Sequence, residues 1–502
     1  MAPLRVWLTT LLSVGLASAN TCSQVQTVAP SVEVSMPLSL AYTKVSNDYW
    51  STTCAALDPS CVIFPSTVQE VAAVVNVLKN NDEHFAIKSG GHNPNDYFSS
   101  IADGPLISTS KLNHLLLDQD TGIVRFGPGF RWDEVADALD GSGWSLVGGR
   151  VGNVGVGGYM LGGGLSFHSA QRGWAANSVI EYEVVLADGS IVTASADDNP
   201  DLFKVLKGGG NNFGIVTSFT VQAYEQGEVW GGMLYIPSTP SADEKIIKAI
   251  HDFTLYNTDE KAAIVPTKEL VLLNLVELWV FLIFYDGPDP GDVFKPFTDL
   301  FPTLNTCKKQ SFASLVKSNN AIVLKGMAYI IATETIPLPL PEDNPNGPTS
   351  LDLMHEVHDL FEEKMRGVLL VPDLIASLGF QPYSKGFAER SIDSGGDMLD
   401  LDADVDRIMI VINTSFALHL HYDIVANAVK AFYEGVRQLV LDWMADGFVS
   451  ADTYLPLFAN DGFFEQDYWG RLKPENRALA QSVADEVDPD GLFRDRTGGW
   501  KP

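Results

Sequence analysis

Lys88-Ser89-Gly90-Gly91-His92 and the glycine-dominated run 148–164 decide how this chain is read. The first follows Phe85-Ala86-Ile87, a short β-type segment, and ends on a histidine. The second concentrates Gly155, Gly157 and Gly158, then Gly162-Gly163-Gly164. Glycine admits positive φ and lets backbone N–H groups close around a pyrophosphate as a nest. The spacing is not the GxGxxG dinucleotide fingerprint, which places an acidic residue about 20 positions later. The pattern therefore predicts a nucleotide held by loops, outside a Rossmann frame.

Working outward, Cys61-Val62-Ile63-Phe64-Pro65 reads as a strand. Ser66 is the expected N-cap of the next helix, with Gln69 as its capping-box partner. Val71, Val74, Val75 and Leu78 supply that helix's apolar face. Downstream, 123–127 is a strand and 132–139 a helix, and 180–186 with 191–194 forms a hairpin across Ala187-Asp188-Gly189-Ser190. A short helix, 199–206, precedes Gly208-Gly209-Gly210. After Tyr224 the segments 229–236, 270–286, 327–334 and 408–421 are long and β-type, and 242–256 and 351–365 are helical. The Pro-rich stretch 336–348 reads as a surface loop, and 426–444 and 474–486 close the chain as helices. Long strands with segregated helices predict an α+β fold. A large antiparallel sheet backed by helices follows the glycine-rich half.

Composition narrows the partners. Sixty-three acidic against 33 basic residues give a formal charge of −30, which repels nucleic acid and anionic lipid. Nucleic acid and membrane are both excluded as expected partners. The first nineteen residues have the form of a secretory signal: Arg5, an apolar run, then Ala17-Ser18-Ala19. The apolar run is short of the ~20 residues that a spanning helix needs. Secretion makes disulfides permissible. Cys22, Cys54, Cys61 and Cys307 allow three full pairings; Cys22 with Cys54 or Cys61 would fasten the mature N-terminus, leaving Cys307 free. No cysteine has metal-ligand spacing, and no metal is expected.

Four motifs occur in order: PSTVQEV at 65–71, KSGGH at 88–92, GNVGVGGYMLGGGLS at 152–166 and GGGNNFGIVTSF at 208–219, followed by VDPDGLF at 487–493. This order resembles the FAD-linked oxidases of the vanillyl-alcohol-oxidase superfamily, in the berberine-bridge-enzyme-like branch with a PCMH-type FAD-binding domain. The resemblance implies a two-subdomain FAD-binding unit over 20–225, a substrate-binding domain over 226–425, and a C-terminal segment, 426–502, returning to the FAD unit. It implies FAD as cofactor, attached covalently through His92. Lys88, Ser89, Gly90, Gly91, Val151, Val154, Gly155, Gly157, Gly158, Gly162, Ile215 and Val216 are the other expected FAD contacts. Asn177 matches a polar position near the adenine half. Many members add a thioether from a cysteine at the place held here by Val151, so a single link is expected. Val154 stands where the family gates oxygen, and a compact residue there goes with O2 as acceptor.

The substrate side is less determined. The family's late Tyr-x-Asn-Tyr-x-Asp motif has its counterpart in 454–461, but Phe458 and Ala459 replace the asparagine and second tyrosine if Asp461 aligns. That removes a phenol often assigned as base. Asp397, Asp400, His419 and His421 are the remaining candidates; the two histidines, alternating on a strand, would share a face. Tyr97 and Tyr159 lie close enough in sequence to the flavin loops to line a pocket. Asn413-Thr414-Ser415 has the form of a glycosylation sequon but falls in a strand and is expected to be unused. The leading expectation is a monomeric, secreted oxidase of a small, partly apolar alcohol, amine or specialised metabolite. Alternatives are a carbohydrate oxidase, with Trp230, Trp279 and Trp469 lining a groove, and a flavin-loaded protein with vestigial activity.

Overall fold

Two small sheets, a two-stranded ribbon of Trp144–Ser145 with Tyr224–Glu225, and one large sheet organise the chain in the computed structural model, which describes residues 20–271, 276–340, 343 and 347–502. The expected signal segment, 1–19, lies outside the described residues. The first small sheet runs in the order Glu33–Ser35, Cys61–Phe64, Pro105–Ser108, Ala86–Lys88, and its last three strands are parallel. Parallel neighbours need a crossover, and the helix Val68–Leu78 supplies it. Its cap sits one residue later than expected. Thr67 accepts from the Glu70 N–H, and the backbone N–H and hydroxyl of Ser66 both donate to the Glu70 carboxylate. The anticipated face, Val71, Val74, Val75 and Leu78, is buried and packs against Val185 and Ile215 of the second small sheet. That sheet is antiparallel, ordered Leu115–Leu117, Ile123–Phe126, Ile215–Gln222, Val179–Val185, Ile191–Ser195.

Cys22 pairs with Cys61, tying the helix Thr21–Val28 to a central strand of the first sheet. Cys54 and Cys307 are free thiols.

The large antiparallel sheet runs Leu304–Asn305, Val229–Pro237, Val276–Tyr285, Ala262–Val271, Ile375–Tyr383, Asp406–Phe416, Ala328–Leu338, with Lys308–Gln310 also paired to Val229–Pro237. The segment expected as one strand over 270–286 is instead a junction of two, with 272–275 outside the described residues. Ala328–Leu338 is buried throughout, so the first residues of the Pro-rich stretch belong to a strand rather than a loop. One face of the sheet is covered by Pro240–Tyr256, Ser350–Arg366 and Tyr422–Ala445, whose apolar stripes fill the principal core with Ile264, Leu270, Trp279 and Phe281. The boundary expected at 426 thus falls inside a helix of this layer. The return to the first small sheet comes later, where Phe493 meets Phe85 and Arg496 donates to the carbonyls of Leu78 and Glu83.

Two buried ionic groups fasten the layers. Arg471 grips both oxygens of Glu334 at 2.5 and 2.9 Å, pinning the C-terminal loop to Ala328–Leu338. On the helix side, Asp243, His358 and Glu362 converge in the manner of a metal-ligand set, but the Lys268 ammonium lies among them, donating to Asp243 at 3.1 Å and to Glu362 at 2.5 Å.

Candidate active site

A cavity of about 420 Å³ lies where the two glycine loops, the Gly208-Gly209-Gly210 turn, the inner face of the large sheet and the C-terminal tail meet. This is within the size range of small-molecule and cofactor sites. The loops are held back to back. A Cβ on Gly155 would lie 2.2 Å from the Gly90 nitrogen, and one on Gly90 would lie 2.5 Å from the Gly155 Cα. Ser89 knots them together, donating to the Pro128 carbonyl at 2.6 Å and accepting from the Gly157 N–H at 3.1 Å. Gly91 turns the chain at φ +67°, where Lys88 and Tyr49 leave no room for a side chain. The third turn is fixed by the Gly208 and Gly210 N–H groups donating to the Leu161 carbonyl and by Tyr468 donating to Gly208. Gly158 is different: it is exposed to the cavity, and a Cβ there would meet nothing within 4 Å.

His92 sits at the wall of this cavity with Nε2 buried and without a partner. Its ring stacks on Trp50 at 4.7 Å, and Trp50 stacks on Tyr329 at 4.2 Å. Burial, reinforced by the Arg131 guanidinium, lowers its pKa to about 4. The imidazole is therefore neutral at physiological pH, with a lone pair available on a ring nitrogen. An unsatisfied buried nitrogen is costly, and this one belongs to a residue of the cavity wall, where a bound group could partner it.

Every residue expected to contact FAD lies on the cavity wall except Lys88. The strand Ala86–Lys88 aims the Lys88 side chain beneath the loop, where its ammonium lies 4.6 Å from the Tyr49 ring centre. Burial lowers its pKa to about 8. Tyr159 lines the cavity, whereas Tyr97 is exposed and lies outside it.

None of the four expected acid–base candidates reaches the cavity wall. Asp397 is buried behind it, accepting from Asn177 Nδ2 at 3.0 Å and from the Asp400 N–H, so Asn177 braces a loop rather than facing a ligand. Asp400 pairs with Lys473 at 3.1 Å. The strand Asp406–Phe416 ends too early for His419 and His421, which lie on a surface 3₁₀ turn leading into Tyr422–Ala445. His419 bonds to the Thr52 hydroxyl there.

The carboxylate that does face the cavity is Asp461, on the turn Ala459–Asp461. Gln381, on the large sheet, bridges it to Arg150: the Gln381 amide donates to Asp461 at 3.5 Å and its carbonyl accepts from Arg150. Burial raises the Asp461 pKa, opposed by Arg150 and then Gln381. The Tyr159 hydroxyl, buried and without a partner, belongs to the same polar corner, and burial pushes its phenol up. Sequence reasoning singles out Tyr159 as a pocket residue and Asp461 as the end of the late motif, but misses Arg150, Gln381 and the group they form, because its members stand at 150, 159, 381 and 461 and only the fold brings them together. Trp279 and Trp230 pack into the helix-backed core, so of the tryptophans proposed for a groove only Trp469 touches the cavity.

The family model described as an FAD binding domain matches residues 59–195. An uncharacterized FAD-linked oxidoreductase of Arthroderma benhamiae is 38% identical over 491 residues, covering 97% of this chain and 96% of that one. The chain belongs to the FAD-linked oxidoreductases. Among these FAD-linked oxidoreductases, the FAD-dependent monooxygenase drtC of Aspergillus calidoustus is 29% identical, covering 97% of this chain and 90% of its own. The fold is that of a carbohydrate oxidase from Microdochium nivale (TM-score 0.72, 18% identity, 94% and 98% of the two chains) and of berberine bridge enzyme (0.69, 15%, 96% and 98%). FAD fits the site: three glycine turns line it, Gly158 leaves open space, and His92 offers an unpartnered nitrogen. Among the described residues, no helix is long and apolar enough to cross a membrane.

Proposed function

We propose that this FAD-linked oxidoreductase is a secreted, monomeric oxidase that carries FAD through a single covalent bond to His92 and oxidises a small, partly apolar alcohol, amine or specialised metabolite. Residues 20–225 would form the FAD-binding unit and the large sheet the floor of the substrate chamber. The observation that carries the reading is the buried, unpartnered Nε2 of His92 at the wall of a glycine-lined cavity. FAD bound there supplies a hydride acceptor that O2 can regenerate with release of H2O2.

The chain's own residues do the remaining work. Neutral His92 is the form able to bond to carbon, and its stack on Trp50 fixes the ring plane. No cysteine lines the cavity, and Val151 occupies the position of the family's second link, which supports a single attachment. Val154, also on the wall, is a compact side chain at the position where the family gates oxygen, which supports O2 as acceptor. Asp461 receives the substrate's hydroxyl or ammonium proton, while Gln381 and Arg150 hold its carboxyl in place. The burial of Trp230 and Trp279 in the core favours a small substrate over an oligosaccharide lying in an aromatic groove.

Peroxide release is the test. Across panels of alcohols, amines and sugars, the small apolar members should give peroxide and Asp461→Asn should lower kcat by about 10²–10⁴. Turnover of oligosaccharides alone would overturn the substrate class. Undiminished kcat in the variant would overturn the role of Asp461.

A further inference from the structure

One enclosed carboxylate has no part in the reading above. Glu269 lies on Ala262–Val271, where Ile264 and Leu270 enter the helix-backed core and Lys268 meets the buried acids of the same side. Alternation turns Glu269 to the opposite face. Register places it beside Ser377, Ser377 beside Asn413, and Asn413 beside Ile331. Residues directly opposite in antiparallel strands share a face. Asn413 and Ile331 line the cavity, so the row Glu269–Ser377–Asn413 continues the cavity floor outward across two strands, about 10 Å.

This extension is not sealed. Glu269, Thr267, Ser377, Ile375, Leu278 and Val280 are all half-buried on this face and keep accessible surface. The row is also unfinished chemically. Ser377 donates to Glu269 at 2.5 Å, and that hydroxyl is the one group that favours the ionised form. Burial raises the Glu269 carboxyl to about 7, and no basic neighbour offsets it. At the other end of the row, the Asn413 side-chain oxygen is buried with no partner. A half-buried carboxylate without a cation and an amide oxygen without a donor both suit a ligand that brings N–H groups and positive charge.

We propose that Glu269, Ser377 and Asn413 form a recognition subsite for the ammonium group of a basic-nitrogen ligand, with the Glu269 carboxylate as counter-ion. The subsite rests on the proposed function in one respect, that a small molecule occupies the adjoining cavity. It deepens that reading by naming the chemistry at the far end of the substrate. The formal charge of −30 favours approach of such a cation. The groups facing Glu269 leave it free to act alone: Leu278 on the neighbouring strand and Ser377 carry no charge, and the Tyr329 phenol, pushed up by burial, stays neutral.

Calorimetric titration of the yellow holoenzyme with 4-phenylbutylamine and with its neutral isostere 4-phenylbutanol tests this. At about pH 8.5 the carboxyl is ionised, and the amine should bind about tenfold to hundredfold more tightly than the alcohol. The preference should disappear as pH falls through about 7, and in Glu269→Gln it should be absent at every pH. Ser377→Ala keeps the carboxylate but removes its donor, so the pH midpoint should move upward. This second variant decides the matter if Glu269→Gln fails to fold. Equal binding of both probes by the wild type, no binding of either, a preference retained in Glu269→Gln, or an unmoved midpoint in Ser377→Ala would overturn the subsite. Calorimetry reads binding whether or not flavin is attached. Loss of colour would therefore count against the covalent flavin, and loss of the amine preference against the subsite.

Discussion

Substituting alanine at Gly155 and at Gly158 should separate two reasons for glycine within one loop. At Gly155 (φ −75°) the backbone suits any residue, so the constraint is purely steric. The new Cβ would lie 2.2 Å from the Gly90 nitrogen and 2.5 Å from its Cα, where contact distances near 3.5 Å are comfortable. The loops must therefore part by roughly 1 Å, carrying Ser89 and His92 away from Pro128 and Trp50. Because both obstacles are backbone, the overpacking cost should lie near the upper end of the usual range, about 3 kcal/mol. For a unit of the FAD half's size that is roughly 6–12 °C in Tm. At Gly158 the opposite holds. Its Cβ meets no protein atom, and it lies within the helix Val156–Leu161, where alanine gains up to about 1 kcal/mol in propensity. That Cβ would instead project into the cavity. Thermal melting of protein made under riboflavin limitation reads packing alone, and the flavin-to-protein absorbance ratio after normal expression reads loading. Gly155→Ala should lose both stability and flavin; Gly158→Ala should keep stability and lose flavin. Equal destabilisation by the two, or full flavin content in Gly158→Ala, would refute the reasoning.

Other outcomes follow from the same geometry. Replacing Cys22 and Cys61 with serine opens a closure spanning 39 residues and should cost about 4 kcal/mol by chain entropy, visible as a lower Tm under non-reducing conditions. Glu334→Ala leaves Arg471 buried without its carboxylate and should destabilise by about 3–5 kcal/mol in urea unfolding. The pH profile of kcat should have an acid limb set by Asp461. Its raised pKa means activity falls as pH drops, beginning above the ordinary carboxylate range, and Asp461→Asn should abolish that limb. Val154→Leu should slow reoxidation of the reduced enzyme by O2 in stopped-flow while leaving reduction by substrate unchanged.

The flavin side of this protein was legible in its sequence because it is local. Gly90, Gly155 and Gly157 approach other backbone or cavity within a few residues of where the pattern put them, and the helix Val68–Leu78 shows the apolar spacing that the text displays. What failed was tertiary. Lys88 was an expected FAD contact, but strand alternation turned it under the loop. His419 and His421 looked like strand neighbours, yet the strand stops at Phe416 and the chain turns to begin a 24-residue helix. Asp397 and Asp400 stood in an acidic, glycine-flanked stretch that proves to be a braced loop behind the cavity. Arg150, Gln381 and Glu269 carry no local signal at all, and Asp461 stands in the sequence only as the end of the late motif at 454–461, without a role as base. Their meaning comes from sheet register and from a C-terminal tail that returns across the molecule.

The central claim is a single covalent flavin on His92. Intact mass of the denatured protein, with peptide mapping of the adduct, addresses it directly. The wild type should carry one FAD on the peptide containing His92, and His92→Ala should show the mass of the bare chain. Wild-type protein that releases all its flavin on denaturation, or a His92→Ala variant that retains flavin covalently, would contradict the account.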